Sequence, residues 1–233
     1  MIKMSKSISQ MMRLPRICPL CCQYHLEQYA VCGDCQTLLT PLGKCCQVCA
    51  LPMSSGQHPI CGHCIRQKPY FDRVYAGYQF TEPLRALIHE FKYHEGLYLT
   101  SFLTQLILDG LAEKPAVAPC LLPVPTHRKR LAERGYNHAA ELTKCLAKRL
   151  QFPYDLTTAR KIVNTANQAS LSRKARSTNL QKAFSIGRIS FAHVVIVDDL
   201  LTTGSTVNEL ARLIKIKGVE RVDVYCCARA IMD

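Results

Sequence analysis

V-V-I-V-D-D-L-L-T-T-G-S-T, residues 194–206, packs a strand, an acidic pair and a helix start into thirteen positions. Val194, Val195, Ile196 and Val197 form an unbroken β-branched run, the signature of a strand buried on both faces in a parallel sheet. Asp198 and Asp199 stand where that strand ends. Thr202, Thr203, Gly204, Ser205 and Thr206 then open a helix. Ligands of open α/β sheets bind at the carboxyl ends of strands. A hydroxyl-rich turn at a helix N-terminus directs N–H groups and the positive dipole end at an anion, usually a phosphate. Paired carboxylates beside it suit vicinal sugar hydroxyls or a hydrated Mg²⁺. The string therefore fits a phosphorylated sugar.

The order of strand, acid pair, apolar pair and T-T-G-S-T resembles the phosphoribosyl pyrophosphate (PRPP) loop of type I phosphoribosyltransferases. The plain alternative is a strand and a helix capped by Ser205, with two solvated acids. Rival nucleotide motifs are missing, since neither G-x-x-x-x-G-K-[ST] nor G-x-G-x-x-G occurs.

With 233 residues and 48% hydrophobic content, the chain can hold one α/β domain plus a small module. No apolar run reaches the roughly 18 residues a membrane span needs. Lys3, Lys6 and Arg13 precede no apolar segment of secretory type. A cytoplasmic protein is expected. Formal net charge is +13, and residues 121–190 carry fourteen Lys and Arg against three acids. Such a basic stretch attracts phosphate polyanions, whether PRPP or nucleic acid. Solvated surface is the alternative.

Ten of the fourteen cysteines lie between Cys18 and Cys64. Eight form C-x-x-C pairs: Cys18/Cys21, Cys32/Cys35, Cys46/Cys49 and Cys61/Cys64. The first pairs of the two halves are offset by 28 residues and the second pairs by 29, which marks an internal duplication. Without an export signal, metal binding is favoured over disulfides. Two knuckles complete a closed tetrahedral Cys₄ site, structural in type, with zinc the expected ion and iron the alternative. Pairing within each half is favoured by the repeat, while a cross-braced arrangement is the other possibility. Cys22 and Cys45 are spare thiols, and His25, His58 and His63 are not needed as ligands.

Beyond Cys64, residues 68–72 read as a link, which divides the chain into a double zinc ribbon (1–68) and a second domain (69–233). Val74 to Phe80 alternates as a strand. Pro83 opens a helix with Leu84, Leu87, Ile88 and Phe91 on one face. A second helix is expected from about Gly96 to Glu113, and a short strand at Cys120–Pro125. A basic loop with Arg128, Lys129 and Arg130 continues to Arg134-Gly135-Tyr136-Asn137. A helix with Leu142, Leu146 and Leu150, and a strand near Tyr154–Ala159, come next. The segment from Arg160 to Lys182 has six basic residues and no acids, and suits a long functional loop. A helix over Ser205–Lys217, ended by Gly218, and a strand over Arg221–Cys227 complete a doubly wound α/β sheet.

Taken end to end, the chain resembles the ComF family, a double zinc ribbon followed by a phosphoribosyltransferase domain. The residues that carry the likeness are the four C-x-x-C pairs, Leu87-Ile88-His89-Glu90-Phe91-Lys92-Tyr93, Val124-Pro125 and Arg134-Gly135-Tyr136-Asn137. Arg160 with Thr165 and Gln168, Leu171 with Arg173, Arg176 with Asn179-Leu180, Ala183-Phe184 and the Asp198–Thr206 loop complete it. One departure is His138, where the family more often has Gln. The resemblance implies a type I phosphoribosyltransferase fold with a mainly parallel sheet. It implies Asp198 and Asp199 on the ribose hydroxyls, directly or through Mg²⁺, and Thr202–Thr206 around the 5′-phosphate. Arg128 and Arg130 fall in the place of the pyrophosphate loop, and Arg160–Lys182 in the place of the hood.

It further implies a role in DNA uptake, or in the use of external DNA, with single-stranded DNA and uptake-machinery proteins as partners. Tyr70, Tyr75, Tyr78 and Tyr136 are candidates for base stacking, with core packing the commoner use of such residues. Fold alone does not establish turnover. A nucleobase-salvage transferase and a PRPP sensor without turnover are the competing expectations.

Overall fold

The computed structural model of the chain describes residues 14–53, 58–93, 96–111, 115, 117–163 and 182–231. Most of the expected hood, 164–181, lies outside them, with Thr165, Gln168, Leu171, Arg173, Arg176, Asn179 and Leu180. A small antiparallel pair, β1 (Arg16–Ile17) and β2 (Tyr24–His25), opens the described chain. The duplicated cysteines then give duplicated geometry. Cys32 caps α1 (Gly33–Gln36) and Cys61 caps α2 (Gly62–Arg66), both with extended backbone.

The remaining elements are β3 (Arg73–Gln79), α3 (Leu84–Tyr93), a 3₁₀ turn (Gly96–Leu99), α4 (Thr100–Asp109), β4 (Cys120–Pro123), α5 (Arg128–Arg134) and α6 (His138–Leu150). After them come β5 (Ala159–Lys161), β6 (Phe184–Ile186), β7 (His193–Leu201), α7 (Ser205–Ile216) and β8 (Arg221–Arg229). The main sheet has the order β3-β8-β7-β4, and every pairing is parallel. Because strand side chains alternate, Val195, Val197, Tyr225 and Cys227 meet α3, α4 and α6 on one face. Val194, Ile196, Val222 and Val224 meet α7 on the other, through Val207, Leu210, Ala211 and Ile214. A sheet apolar on both faces needs helices on both, which is the doubly wound arrangement. Each fully buried Leu or Phe here contributes roughly 1.5–3 kcal/mol. The exposed Lys144–Glu141 pair, 2.6 Å apart, is of the kind worth at most about 1 kcal/mol. Burial, not surface charge, holds the fold.

The cysteine-rich segment straddles the open edge of β3. Residues 40–48 run along that edge: Leu42 N–H donates to Gly77 O at 2.9 Å, Gln79 N–H to Thr40 O at 2.9 Å, and Val74 N–H to Val48 O at 2.8 Å. An edge that would otherwise expose unpaired amides is covered. The half containing Cys18, Cys32 and Cys35 joins the α3/α4/α6 core, and the half containing Cys46, Cys49, Cys61 and Cys64 joins the α7 core.

Several expectations are corrected. The acid pair is not beyond its strand. Because β8 runs alongside to Arg229, β7 stays paired through Asp198 (to Cys226) and on to Leu201. The basic stretch after Pro125 is not a loop but α5: His127 Nδ1 accepts the Lys129 N–H at 3.2 Å, and Gly135 closes the helix at φ 80°. The segment near Tyr154 meets β4 by a single bridge, Leu121 to Tyr154. Asp155 then turns the chain by accepting the N–H groups of Thr157 and Thr158, and β5 pairs antiparallel with β6 outside the main sheet. The helix expected from Gly96 begins as a 3₁₀ turn and ends at Asp109.

Close packing of α4 on β3 depends on Gly77, where an added Cβ would meet the Leu106 carbonyl at 2.6 Å. Gly77→Ala is therefore expected to destabilise the protein by about 2 kcal/mol, in the range of core overpacking, as read by the urea midpoint. An unchanged midpoint would show that α4 does not press on β3.

Candidate active site and metal centres

Asp199 is 1% exposed, and it emerges from β7 toward the face covered by α3 and α6. Lys92, near the end of α3, places Nζ 2.9 Å from Asp199 Oδ2. His138, the first residue of α6, places Nε2 3.9 Å from Oδ1. Burial works against charge on Asp199, and His138 and Lys92 overcome it, so its carboxyl is held below the usual range. Burial also brings the His138 imidazole down to about 4. It is neutral near pH 7, which leaves the Lys92 ammonium as the standing counter-charge. Asp198 is pushed well above the ordinary carboxylate value by burial and by the neighbouring Asp199 charge.

The Arg134-Gly135-Tyr136-Asn137 run explains how Lys92 and His138 come together. Arg134 lies over the Tyr93 ring at 4.5 Å. Gly135 ends α5. Tyr136 Oη donates to Phe91 O at 2.6 Å. Asn137 caps α6 by accepting the Ala139 N–H at 3.1 Å, and its amide donates to Val124 O at 3.1 Å beyond β4. Four consecutive residues thus fasten α3, α5, α6 and the end of β4 around the acid pair.

On the other side of the acid pair, Thr202–Thr206 turn into α7. Gly204 takes the N-cap with φ 77°, a left-handed conformation that other residues rarely adopt. Thr203 Oγ1 lies 2.9 Å from Ser205 Oγ and 3.3 Å from the Ser205 amide. Ser205 is the first helical residue, and the N-cap glycine has no side chain with which to cap it. Thr203 takes the Ser205 N–H, and the other N–H groups of a first helical turn have no intrahelical acceptor and suit an anion. Toward β4, a cleft of about 580 Å³ is lined by His127, Arg128, Asn137, Asp155, Arg160 and Lys161 among others. Arg128 reaches this cleft. Arg130 is not part of its lining, although its charge acts on His138 and Lys161.

The atoms of His138, Asp198 and Asp199 that could ligate a metal lie within 4.8 Å of one another. Asp199 Oδ1 is buried and has no hydrogen-bond partner among the described residues. A buried carboxylate oxygen so placed, with Asp198 and His138 beside it, suits a divalent cation that takes oxygen ligands.

The cysteines assemble as two tetrads, Cys18/Cys21/Cys32/Cys35 and Cys46/Cys49/Cys61/Cys64, each with its sulfurs within 4.8 Å. Pairing within each half is thereby selected over cross-bracing. Cys22 and Cys45 stay outside, as do His25, His58 and His63. Residues after the first knuckles, Cys22 and Ala50, share a positive φ of 58° and 55°. Burial opposes the thiolate at Cys18, but the N–H groups of Cys32, Cys21 and Leu20 outweigh it and bring the thiol down to about 6. Cys46 falls to about 7 in the same way. Burial and the neighbouring sulfurs push Cys35 and Cys64 far up instead. Four thiolates cannot share so small a space without a cation, and both tetrads fit one tetrahedral ion.

Comparison with known proteins adds an independent line. The family model described as a phosphoribosyl transferase domain matches residues 137–231. Competence protein F of Haemophilus influenzae is 31% identical over 215 residues, covering 88% of this chain and 93% of its own. DNA utilization protein YhgH of Escherichia coli K12 is 31% identical over 228 residues, covering 95% and 100%. Competence protein ComFC of Bacillus subtilis is 24% identical over 199 residues, covering 81% and 79%. The chain belongs to the ComF family.

In this ComF-family chain, the matched domain begins at the α6 cap and ends just past β8, so it contains the acid pair and the hydroxyl turn. Lys92, Arg128, Arg130 and the tetrads lie before it. In the sequence Lys92 carries no recognisable role, and His138 stands out only as a departure from the family pattern. The available signal was Lys92 itself, a lysine directly after the buried Phe91 on a helix whose apolar face faces the sheet. Of the tyrosines considered for stacking, Tyr136 holds Phe91, Tyr78 donates to Asp109 at 3.1 Å and Tyr75 packs edge-on against Tyr225. Tyr70, half exposed, is the one left open to solvent.

Removing Lys92 strands a buried charge. Lys92→Met is expected to cost about 3 kcal/mol in urea unfolding, and adding Asp199→Asn is expected to restore most of it. A double variant as unstable as the single would contradict the pairing.

Proposed function

We propose that this protein binds PRPP at the carboxyl end of β7 and acts in DNA uptake or in the use of external DNA, as a cytoplasmic protein that contacts single-stranded DNA. The observation that carries the reading is the acid pair Asp198–Asp199, followed after two leucines by the hydroxyl turn Thr202–Thr206 at the start of α7. One end suits ribose hydroxyls, with Mg²⁺ shared by the carboxylates, and the other suits a 5′-phosphate. Arg128 and Arg130 would face the pyrophosphate. The two tetrads would hold zinc as structural ions, with 1–68 as a double ribbon and 69–233 as the PRPP-binding domain. Membership of a family whose relatives are named for competence and DNA utilization supports the biological setting. Among the described residues no helix is long and apolar enough to cross a membrane. Uptake-machinery proteins are natural partners.

Turnover is a second reading, favoured by the cleft of about 580 Å³ between the end of β4, α5 and the α6 cap, which has room for a nucleobase. In a transfer reaction, positive charge grows on the anomeric carbon as pyrophosphate leaves. Carboxylates on the ribose side and arginines on the leaving-group side match that separation.

Calorimetry with PRPP and Mg²⁺ is expected to register binding. Asp198→Asn with Asp199→Asn is expected to weaken it about a hundredfold, two charge-assisted hydrogen bonds being worth about 3 kcal/mol together. Retained affinity would refute the site. Labelled single-stranded oligonucleotide is expected to bind with affinity that falls with salt, by about 0.7 log unit per log unit of salt for each phosphate contact. Salt-insensitive or absent binding would remove the DNA contact. Pyrophosphate release with one nucleobase would favour salvage over an uptake role.

A further inference from the structure

Arg229, the last residue of β8, is a buried cation with carbonyl partners. It is 3% exposed. Its Nε donates to Cys49 O at 3.0 Å. Its Nη1 donates to Leu201 O at 3.1 Å, to Ala230 O at 2.7 Å and to Thr202 O. No carboxylate lies in ion-pair range of it among the described residues. A charge so far from water is costly unless fixed dipoles answer it. Here four carbonyls do so, and they belong to a metal-ligand residue, to the strand end and first residue of the phosphate turn, and to the chain after β8. Nη1 shares its two hydrogens among three of them, and the Cys49 carbonyl alone answers Nε.

We propose that Arg229 couples the second tetrad to the phosphate turn, so that metal at Cys46, Cys49, Cys61 and Cys64 and an anionic sugar phosphate at Thr202–Thr206 stabilise each other, while the first tetrad stays uncoupled. The inference rests on the PRPP reading and deepens it. The Cys49 carbonyl is set by the metal knuckle: the Ala50 N–H donates to Cys46 O at 2.9 Å, and the Cys61 N–H donates to Cys46 Sγ at 3.2 Å. Carbonyls 201 and 202 turn inward to the guanidinium, at the entry to the turn. The cation beneath the turn lacks a counter-anion, and a phosphate supplies one. Two further ties run the same way. Leu201 and Phe71 share an apolar core with the second tetrad, and both would lie 3.9 Å from a Cβ placed on Gly204. The Tyr70 N–H, six residues past Cys64, donates to Asn208 Oδ1 in the first turn of α7 at 2.7 Å.

The first tetrad, its near copy in sequence, packs elsewhere. Tyr29 donates to Gln105 Oε1 at 2.7 Å and lies 6.0 Å from Phe102, both on α4. Arg229 is thus a positioning residue for the turn, acting through backbone carbonyls. Coupling between sites is reciprocal, so the ligand must protect the metal as much as the metal orders the turn.

The test uses the full-length, metal-loaded protein. A chromogenic chelator times metal release with and without saturating PRPP, and cysteine alkylation mapped by mass spectrometry assigns each phase. PRPP is expected to slow loss from Cys46–Cys64 by about tenfold, within the usual span of coupling, and to leave Cys18–Cys35 unchanged. Arg229→Lys is expected to retain both metals and lose the differential. Equal protection of both tetrads, protection of neither, or full protection in Arg229→Lys would overturn the coupling. If that variant does not fold, the differential in the unsubstituted protein decides. Calorimetry on the same sample separates the two failures: absent PRPP binding removes the functional reading and the coupling with it, whereas binding without differential protection overturns the coupling alone.

Discussion

Asp199 puts a carboxylate at the end of β7 with 1% of its surface exposed, and Lys92 meets it at 2.9 Å. A buried carboxylate without a cation would protonate or unfold its surroundings. With the cation present it stays ionised, and two anions side by side then drive Asp198 the other way. The rest of the site follows from keeping that ammonium in place. Tyr136 fixes the end of α3, Asn137 fixes the start of α6, and Gly135, ending α5 in the left-handed conformation, leads directly into both. The run R-G-Y-N is thus a clamp that serves the acid pair from a distance in sequence.

The duplicated tetrads show how near-copies acquire different work from their packing. Both knuckles have the same backbone form, and both second pairs cap a short helix. One half lies against α4 and the other joins the α7 core with Leu201, with the chain between them sealing the edge of β3. The cysteine-rich segment therefore does two jobs here: it protects a sheet edge from pairing with other chains, and it adds apolar residues to both cores of the sheet.

Local chemistry was legible in the sequence, and long-range pairing was not. The apolar faces of α3 and α7, the β-branched core of β7 and the cysteine spacing all announce themselves within short windows. The tetrads could be matched within each half because a 28-residue repeat implies repeated units. The full length of β7 was hidden because the pairing that extends it comes from β8. The helical form of 128–134 was hidden because charged residues carry no apolar period, and its cap is a histidine. Arg229 looks like an ordinary strand-end arginine until the fold brings Cys49 to it from 180 residues away. Lys92 and His138 likewise gain meaning only when α3 and α6 converge on β7.

The central claim is that the end of β7 and the start of α7 form one cup for a ribose bearing phosphates. A crystal structure of the protein grown with PRPP and Mg²⁺ tests it most directly. The account predicts the 5′-phosphate within about 3 Å of the backbone amides of Thr203–Thr206, with the ribose hydroxyls or their metal on Asp198 and Asp199. Ligand density confined to the cleft beside Arg160 and Lys161, with the turn and the acid pair untouched, would contradict it.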